Sequence, residues 1–125
     1  MGRVRANVVV AERNCWTLFD TGARNTCVVQ DIATLLPIFE LERVEPVSLG
    51  GEVHRVKEEC RLVCLVEGLP VRAHARVLDE IGVDEEERRI EILIGALTMQ
   101  EWGIRPVPDE ERLDMTHYPK GFIEF

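Results

Sequence analysis

Asp20-Thr21-Gly22-Ala23-Arg24-Asn25-Thr26 follows the apolar run Trp16-Thr17-Leu18-Phe19, and Asp-Thr-Gly occurs once in the chain. A carboxylate can take a proton from water or give one to a bound group. Hydrolysing an amide asks for both, an activated water and a proton for the carbonyl oxygen, and one copy of the motif supplies one carboxylate. The bare triplet would arise by chance in roughly 2% of chains of this length, and the longer form with Ala23 and Thr26 about a hundredfold less often. The apolar residues before it predict a buried strand that carries Asp20 into the middle of a fold. Asp, Asn and Gly also suit a surface hairpin turn, for local hydrogen-bonding and positive-φ reasons, and that is the competing reading.

Other chemistries find less support. The four cysteines, Cys15, Cys27, Cys60 and Cys64, show no Cys-x-x-Cys spacing, and a chain without an export signal keeps them reduced. Cys60 and Cys64 share a face of a probable strand with Leu62 and Val66 and read as small core residues. Together with His54, His74 and His117 they match no recognised zinc pattern, so no metal and no cofactor is expected. Nothing marks an activating partner for a catalytic cysteine, and no serine nucleophile constellation is recognisable.

The Asp20 segment resembles the active-site loop of the retropepsin-like aspartic proteases of clan AA, and this chain looks like a prokaryotic relative of the retroviral type. In that half-size class each of two identical chains lends one aspartate. A second match lies downstream, where Ile92-Leu93-Ile94-Gly95 is similar to the family's apolar strand that ends at glycine and feeds a short helix. Gly103 sits where that helix would end on a residue free to take positive φ. Viral members commonly carry Asp or Asn two residues after the glycine; here Leu97 stands there, so a polar tether of the helix is missing or replaced. The resemblance covers most of residues 4–104. It implies a mainly all-β, acid-protease half-barrel with one or two short helices, working as a two-fold homodimer that cuts peptides or unfolded protein. It assigns catalysis to Asp20, and it has Thr21 bond the opposing loop across the dimer axis. Gly22 and Ala23 keep the loop and groove edge small, Thr26 supports the loop, and Gly95 is the structural glycine before the helix. A catalytically silent dimerisation or peptide-binding module of the same fold is the alternative.

The elements that must position these residues follow from periodicity. Val4, Ala6, Val8 and Val10 form one face of a strand, Glu12-Arg13-Asn14 a turn, and residues 15–19 the strand that delivers Asp20. After a short strand at 27–29, Asp31 is placed to cap a helix of about two turns over Ile32, Leu35 and Leu36, interrupted by Pro37. Residues 44–58 read as a hairpin tipped by Ser48-Leu49-Gly50-Gly51. In the resemblance this is the flap, with Leu49, Gly50 and Gly51 bending over substrate. Strands at 60–66 and 71–78 follow, the second with Val71, Ala73, Ala75 and Val77 inward and Arg72, His74 and Arg76 outward. The acidic insertion 79–89 is a solvated loop or, in a sharper reading, a border of the groove that favours Lys- or Arg-containing peptides. Pro106, Pro108 and Pro119 preclude a regular central strand in the tail, while Gly121-Phe122-Ile123-Glu124-Phe125 is able either to pair across a dimer or to pack loosely on its own subunit.

At 125 residues and 46% hydrophobic composition, the chain is expected to make a single domain, residues 1–125, with a small core that dimerisation would help to cover. A net charge of −8 repels phosphate backbones and anionic lipid, which argues against nucleic-acid and membrane-surface partners. No stretch approaches the ~20 apolar residues of a membrane span, and no signal peptide is recognisable, so a cytoplasmic location is expected.

Overall fold

The computed structural model describes residues 2–119. Strands β1 (Arg3–Val10) and β2 (Arg13–Asp20) form an antiparallel hairpin that pairs Arg3 with Asp20. Where the sequence pattern predicts a turn at residues 12–14, the chain instead turns on Ala11 and Glu12, both at positive φ (49° and 68°). A two-residue turn of this kind matches the twist of the strands, so β2 starts at Arg13 and pairing runs the full length of β1.

Strand β3 (Thr26–Val29) is buried throughout and leads into α1 (Gln30–Ala33). The helix is one turn, shorter than predicted, because the amides of Leu35 and Leu36 bond the carbonyls of Ile32 and Ala33 (both 3.0 Å) and tighten the chain toward Pro37. Asp31 is not its cap: Val29 holds that position without a side-chain bond, and the Asp31 carboxylate pairs with Arg89 at 2.8 Å.

Strands β4 (Ile38–Leu49) and β5 (Glu52–Val66) make the long hairpin, turning on Gly50 and Gly51 at φ 58° and 83°. β5 is one continuous strand of 15 residues, not a flap strand followed by a separate core strand. Its inward positions Val56, Cys60, Leu62, Cys64 and Val66 are all buried, so one strand serves both the tip and the core, although its pairing with β4 shifts register between Glu40 and Glu45. β6 (Leu69–Leu78) follows the positive-φ turn Glu67-Gly68.

The acidic segment contains a small hairpin, β7 (Gly82–Val83) with β8 (Arg89–Ile90), and then come β9 (Ile92–Ile94) and α2 (Ala96–Trp102). The proline-rich tail forms a short ladder of β10 (Arg105–Val107) with β11 (Arg112–Asp114), outside the main sheet as its prolines require. The tail segment 121–125, read as able either to pair across a dimer or to pack on its own subunit, lies outside the described residues.

The main sheet has the order β1-β2-β9-β3-β6-β5-β4, and pairing of Val9 with Leu65 joins β1 to β5, curling the sheet into a half-barrel. β9 runs parallel to β2 and antiparallel to β3, and so lies between them. That order excludes the hairpin-turn reading of Asp20-Thr21-Gly22, because the strands on either side of the motif do not pair with each other.

Two apolar clusters fill the fold. The larger includes Phe19, Ile32, Leu62, Ile92 and Ile94, and the smaller, beneath the long hairpin, gathers Leu18, Cys27, Val56, Leu78, Ile90 and Leu93. Among the described residues no helix is long and apolar enough to cross a membrane. Leu62 is fully buried, so Leu62→Ala is expected to lower the unfolding free energy by about 2–5 kcal/mol in urea titration, with the slope unchanged.

Candidate active site

Asp20 ends β2 with only 5% of its surface exposed. Its Oδ1 accepts the Gly22 N–H at 2.8 Å, its carbonyl accepts the Ala23 N–H at 3.1 Å, and the Arg3 Nε lies 3.2 Å from Oδ2. The Thr21 hydroxyl is engaged within the chain: it accepts the Gly2 N–H at 2.9 Å, while the Thr21 amide donates to the Gly2 carbonyl at 2.9 Å. The first residues of the chain thus grip both Asp20 and Thr21.

Behind this loop the backbone crosses itself. A Cβ at Gly95 would lie 2.4 Å from the Asn25 carbonyl oxygen and 2.7 Å from the Arg24 carbonyl carbon, so only glycine fits. The Gly95 N–H donates to the buried Thr26 hydroxyl at 3.1 Å, and that hydroxyl bonds Thr98 Oγ1 at 2.7 Å. The amides of Ala96 and Leu97 donate to the carbonyls of Ala23 and Arg24 at 2.7 and 3.2 Å. The polar tether that Leu97 cannot supply is therefore replaced by the Thr26–Thr98 pair and these backbone bonds; the Leu97 side chain itself is half exposed.

Asp20 opens into a cavity of about 440 Å³ under the tip of the long hairpin, lined by Leu18, Leu49, Gly50, Leu93 and the segment from Ile81 to Glu85. A second cavity of about 500 Å³ continues on the other side of Leu49 and Leu93, edged by Gly22, Ala23 and Arg24. The groove thus passes beneath the tip, with the Asp20 loop as its floor. Gly51 completes the turn but does not line either cavity.

The acidic insertion forms a wall of the Asp20 cavity. Asp84 is its anchor, with a side chain 3% exposed. Its Oδ1 accepts the amides of Glu86 and Arg88 (both 2.9 Å), and its Oδ2 accepts the Trp16 indole N–H at 2.8 Å. The Arg88 guanidinium lies over the Trp16 ring, 3.9 Å from its centre. Desolvation alone would raise the Asp84 carboxyl, but the hydrogen bonds from Arg88, Trp16 and Glu86, with the Arg5 charge, hold it below the usual carboxylate range. Arg89 fastens the other end of the segment to Glu80 and Asp31.

The thiols have the opposite character. Burial pushes Cys15, Cys27 and Cys60 up to about 11 and Cys64 to about 12, so all four stay protonated near neutrality. Among the described residues no group of three or more His, Cys, Asp and Glu side chains is arranged to hold a metal ion.

No family model matches the sequence, and no curated protein matches it. Solved structures do. The retroviral protease-like domain of Ddi1 from Leishmania major superposes with a TM-score of 0.66 at 10% identity, over 94% of this chain and 90% of that one. EIAV protease, solved with the inhibitor HBY-793, superposes at 0.60 with 15% identity, over 84% of this chain and 92% of that one. The foamy viral protease-reverse transcriptase superposes at 0.52 with 16% identity, over 83% of this chain and 16% of that one. The fold is retropepsin-like.

Within this retropepsin-like fold the two sequence motifs meet: the loop of Asp20, Thr21, Gly22 and Ala23 rests on Thr26 and Gly95, and Leu49 and Gly50 face Asp20 across the groove. Sequence reasoning missed Arg3, Gly2, Thr98 and the anchoring role of Trp16. The Arg3 contact was recoverable, since a two-residue turn at Ala11-Glu12 sets Arg3 opposite Asp20. The Trp16–Asp84 bond joins residues 68 positions apart and left no local signal.

Two outcomes are expected from this geometry. Gly95→Ala forces backbone apart and should leave little folded protein, read as loss of the cooperative urea transition. Asp84 has a depressed folded value, so its stabilisation is present above the unfolded pKa of about 4 and is lost as pH falls through the folded one. Trp16 emission, followed in a Trp102→Phe background, should therefore shift below about pH 4, and Asp84→Asn should abolish that transition.

Proposed function

We propose that this protein is an aspartic endopeptidase that acts as a homodimer, hydrolysing peptide bonds with a water held between two Asp20 carboxylates, one from each subunit. The observation that carries the reading is a buried carboxylate at the end of a strand, opening into a groove beneath a glycine-tipped hairpin in a retropepsin-like fold.

Two carboxylates brought together on a two-fold axis repel, so the pair holds one proton between them. The ionised partner takes a proton from the water, whose oxygen bonds to the substrate carbonyl carbon, while the protonated partner gives its proton to the carbonyl oxygen. The resulting diol collapses with proton transfer to the leaving nitrogen, and the C–N bond breaks. No covalent bond to the enzyme forms. Gly50 and Gly51 let the tip bend over the peptide and offer backbone N–H groups to it.

In this reading Thr21 exchanges its bond to Gly2 for one to the opposing loop, and Arg3 yields Asp20 to its twin. Peptide or unfolded protein is the substrate, nucleic acid and membrane are not partners, and the cytoplasm is the site of action. The Arg3–Asp20 ion pair also favours the second reading, a silent dimerisation or peptide-binding module, because a carboxylate committed to a guanidinium is not free to share a proton with another.

The deciding experiment digests an unstructured protein with wild type and Asp20→Asn and measures mass by sedimentation. The expected outcome is a dimer in both, with cleavage by wild type alone and loss of at least about a thousandfold in rate for the variant. Cleavage that survives Asp20→Asn removes Asp20 as the catalyst, and a dimer that never cuts supports the silent module.

A further inference from the structure

Resting on the groove assigned above, we infer that its acidic wall selects substrates bearing a lysine or arginine side chain beside the scissile region, with Glu85 and Glu111 as the specificity-determining residues. The cavity that holds Asp20 is also lined by Asp84, Glu85 and Glu111, three carboxylates that converge on the single guanidinium of Arg5. Charge there is uncompensated. Arg5 engages only Glu85 Oε2 and Glu111 Oε1, so the second oxygen of each has no protein donor among the described residues. Arg3, the other cation of the cavity, lies beside Asp20, and among the described residues no ion pair joins it to Glu85 or Glu111.

The same cavity is lined by the apolar side chains of Leu18, Ile81, Ile90 and Leu93. A long aliphatic stem ending in a cation fits a cavity lined by both kinds of surface, with methylenes on the apolar side chains and the charged head at the open carboxylate oxygens. A bare metal ion would gain nothing from the apolar side chains and would meet the charge of Arg5. The backbone that carries Glu85 is already held by the Asp84 bonds to Trp16, Glu86 and Arg88, so binding does not have to order it.

The test uses Asp20→Asn, which separates binding from cleavage, and fluorescein-labelled nonapeptides built on Ala-Leu-Phe-Leu-Ala with one position carrying Arg, Gln, Leu or Glu. By fluorescence anisotropy, at least one Arg peptide is expected to bind about fivefold more tightly than its Gln counterpart, and the preference should fade in about 0.5 M salt. Adding Glu85→Gln and Glu111→Gln should cut it below about twofold while leaving the Leu peptide unaffected. Arg5→Gln, which removes the competing cation, should strengthen it. Equal binding of Arg and Gln peptides, or a preference that survives the double substitution, overturns the inference. The same peptides are offered to wild type: cleavage without basic preference leaves the protease reading standing and sinks this one, and basic preference without cleavage does the reverse. If no peptide is bound or cut, both fall.

Discussion

At Gly95 two stretches of backbone cross so closely that the first carbon of any side chain would press into the Asn25 carbonyl. That crossing joins the segment after Asp20 to the segment after β9, and the rest of the site is built on it. Thr26 takes the Gly95 N–H and holds Thr98, while the carbonyls of Ala23 and Arg24 take the first amides of α2. Thr26, Gly95 and Thr98 are buried, so their donors and acceptors would otherwise be left without partners. Because β2 and β9 run in parallel register, with Phe19 beside Ile94, the crossing also fixes how far Asp20 projects beyond the sheet.

Charge is organised around that rigid frame. Arg3 meets Asp20, Arg5 gathers Glu85 and Glu111, and Arg89 joins Glu80 to Asp31. Exposed pairs of this sort contribute little stability each. Their effect is positional, and the buried Asp84 carboxylate gives them a fixed point, since it ties the acidic hairpin to Trp16 on β2. A chain of net charge −8 thus places an acidic hairpin, held by Asp84, against the Asp20 cavity.

The fold is shared with protease and protease-like domains at 10–15% identity. Likeness at that distance is a likeness of backbone path, and in this chain the path is set by a strand order that seats β9 between β2 and β3, a glycine where backbones touch, and a hairpin that turns on residues at positive φ. Leu97 illustrates the latitude that remains. An apolar residue is tolerated there because backbone bonds and the Thr26–Thr98 pair fasten the helix instead.

Local pattern was enough to read Asp20 at the end of a buried strand, the glycine tip of the long hairpin, the inward and outward faces of β6, and the order of the two motifs, because alternation, glycine placement and spacing act over a few residues. It was not enough for α1, whose expected second turn was lost to the tight path toward Pro37, nor for β5, where one continuous strand replaced two short ones. The chain's own residues dictated which carboxylate sits after an apolar strand and which glycines are available for close approach and turning. The folded arrangement alone settled that Arg3 and Gly2 hold the Asp-Thr-Gly loop, and that a segment some sixty residues downstream walls its cavity. Those partners come from separate strands brought together by sheet order, and a contact between distant segments has no period or spacing by which a linear reading could find it.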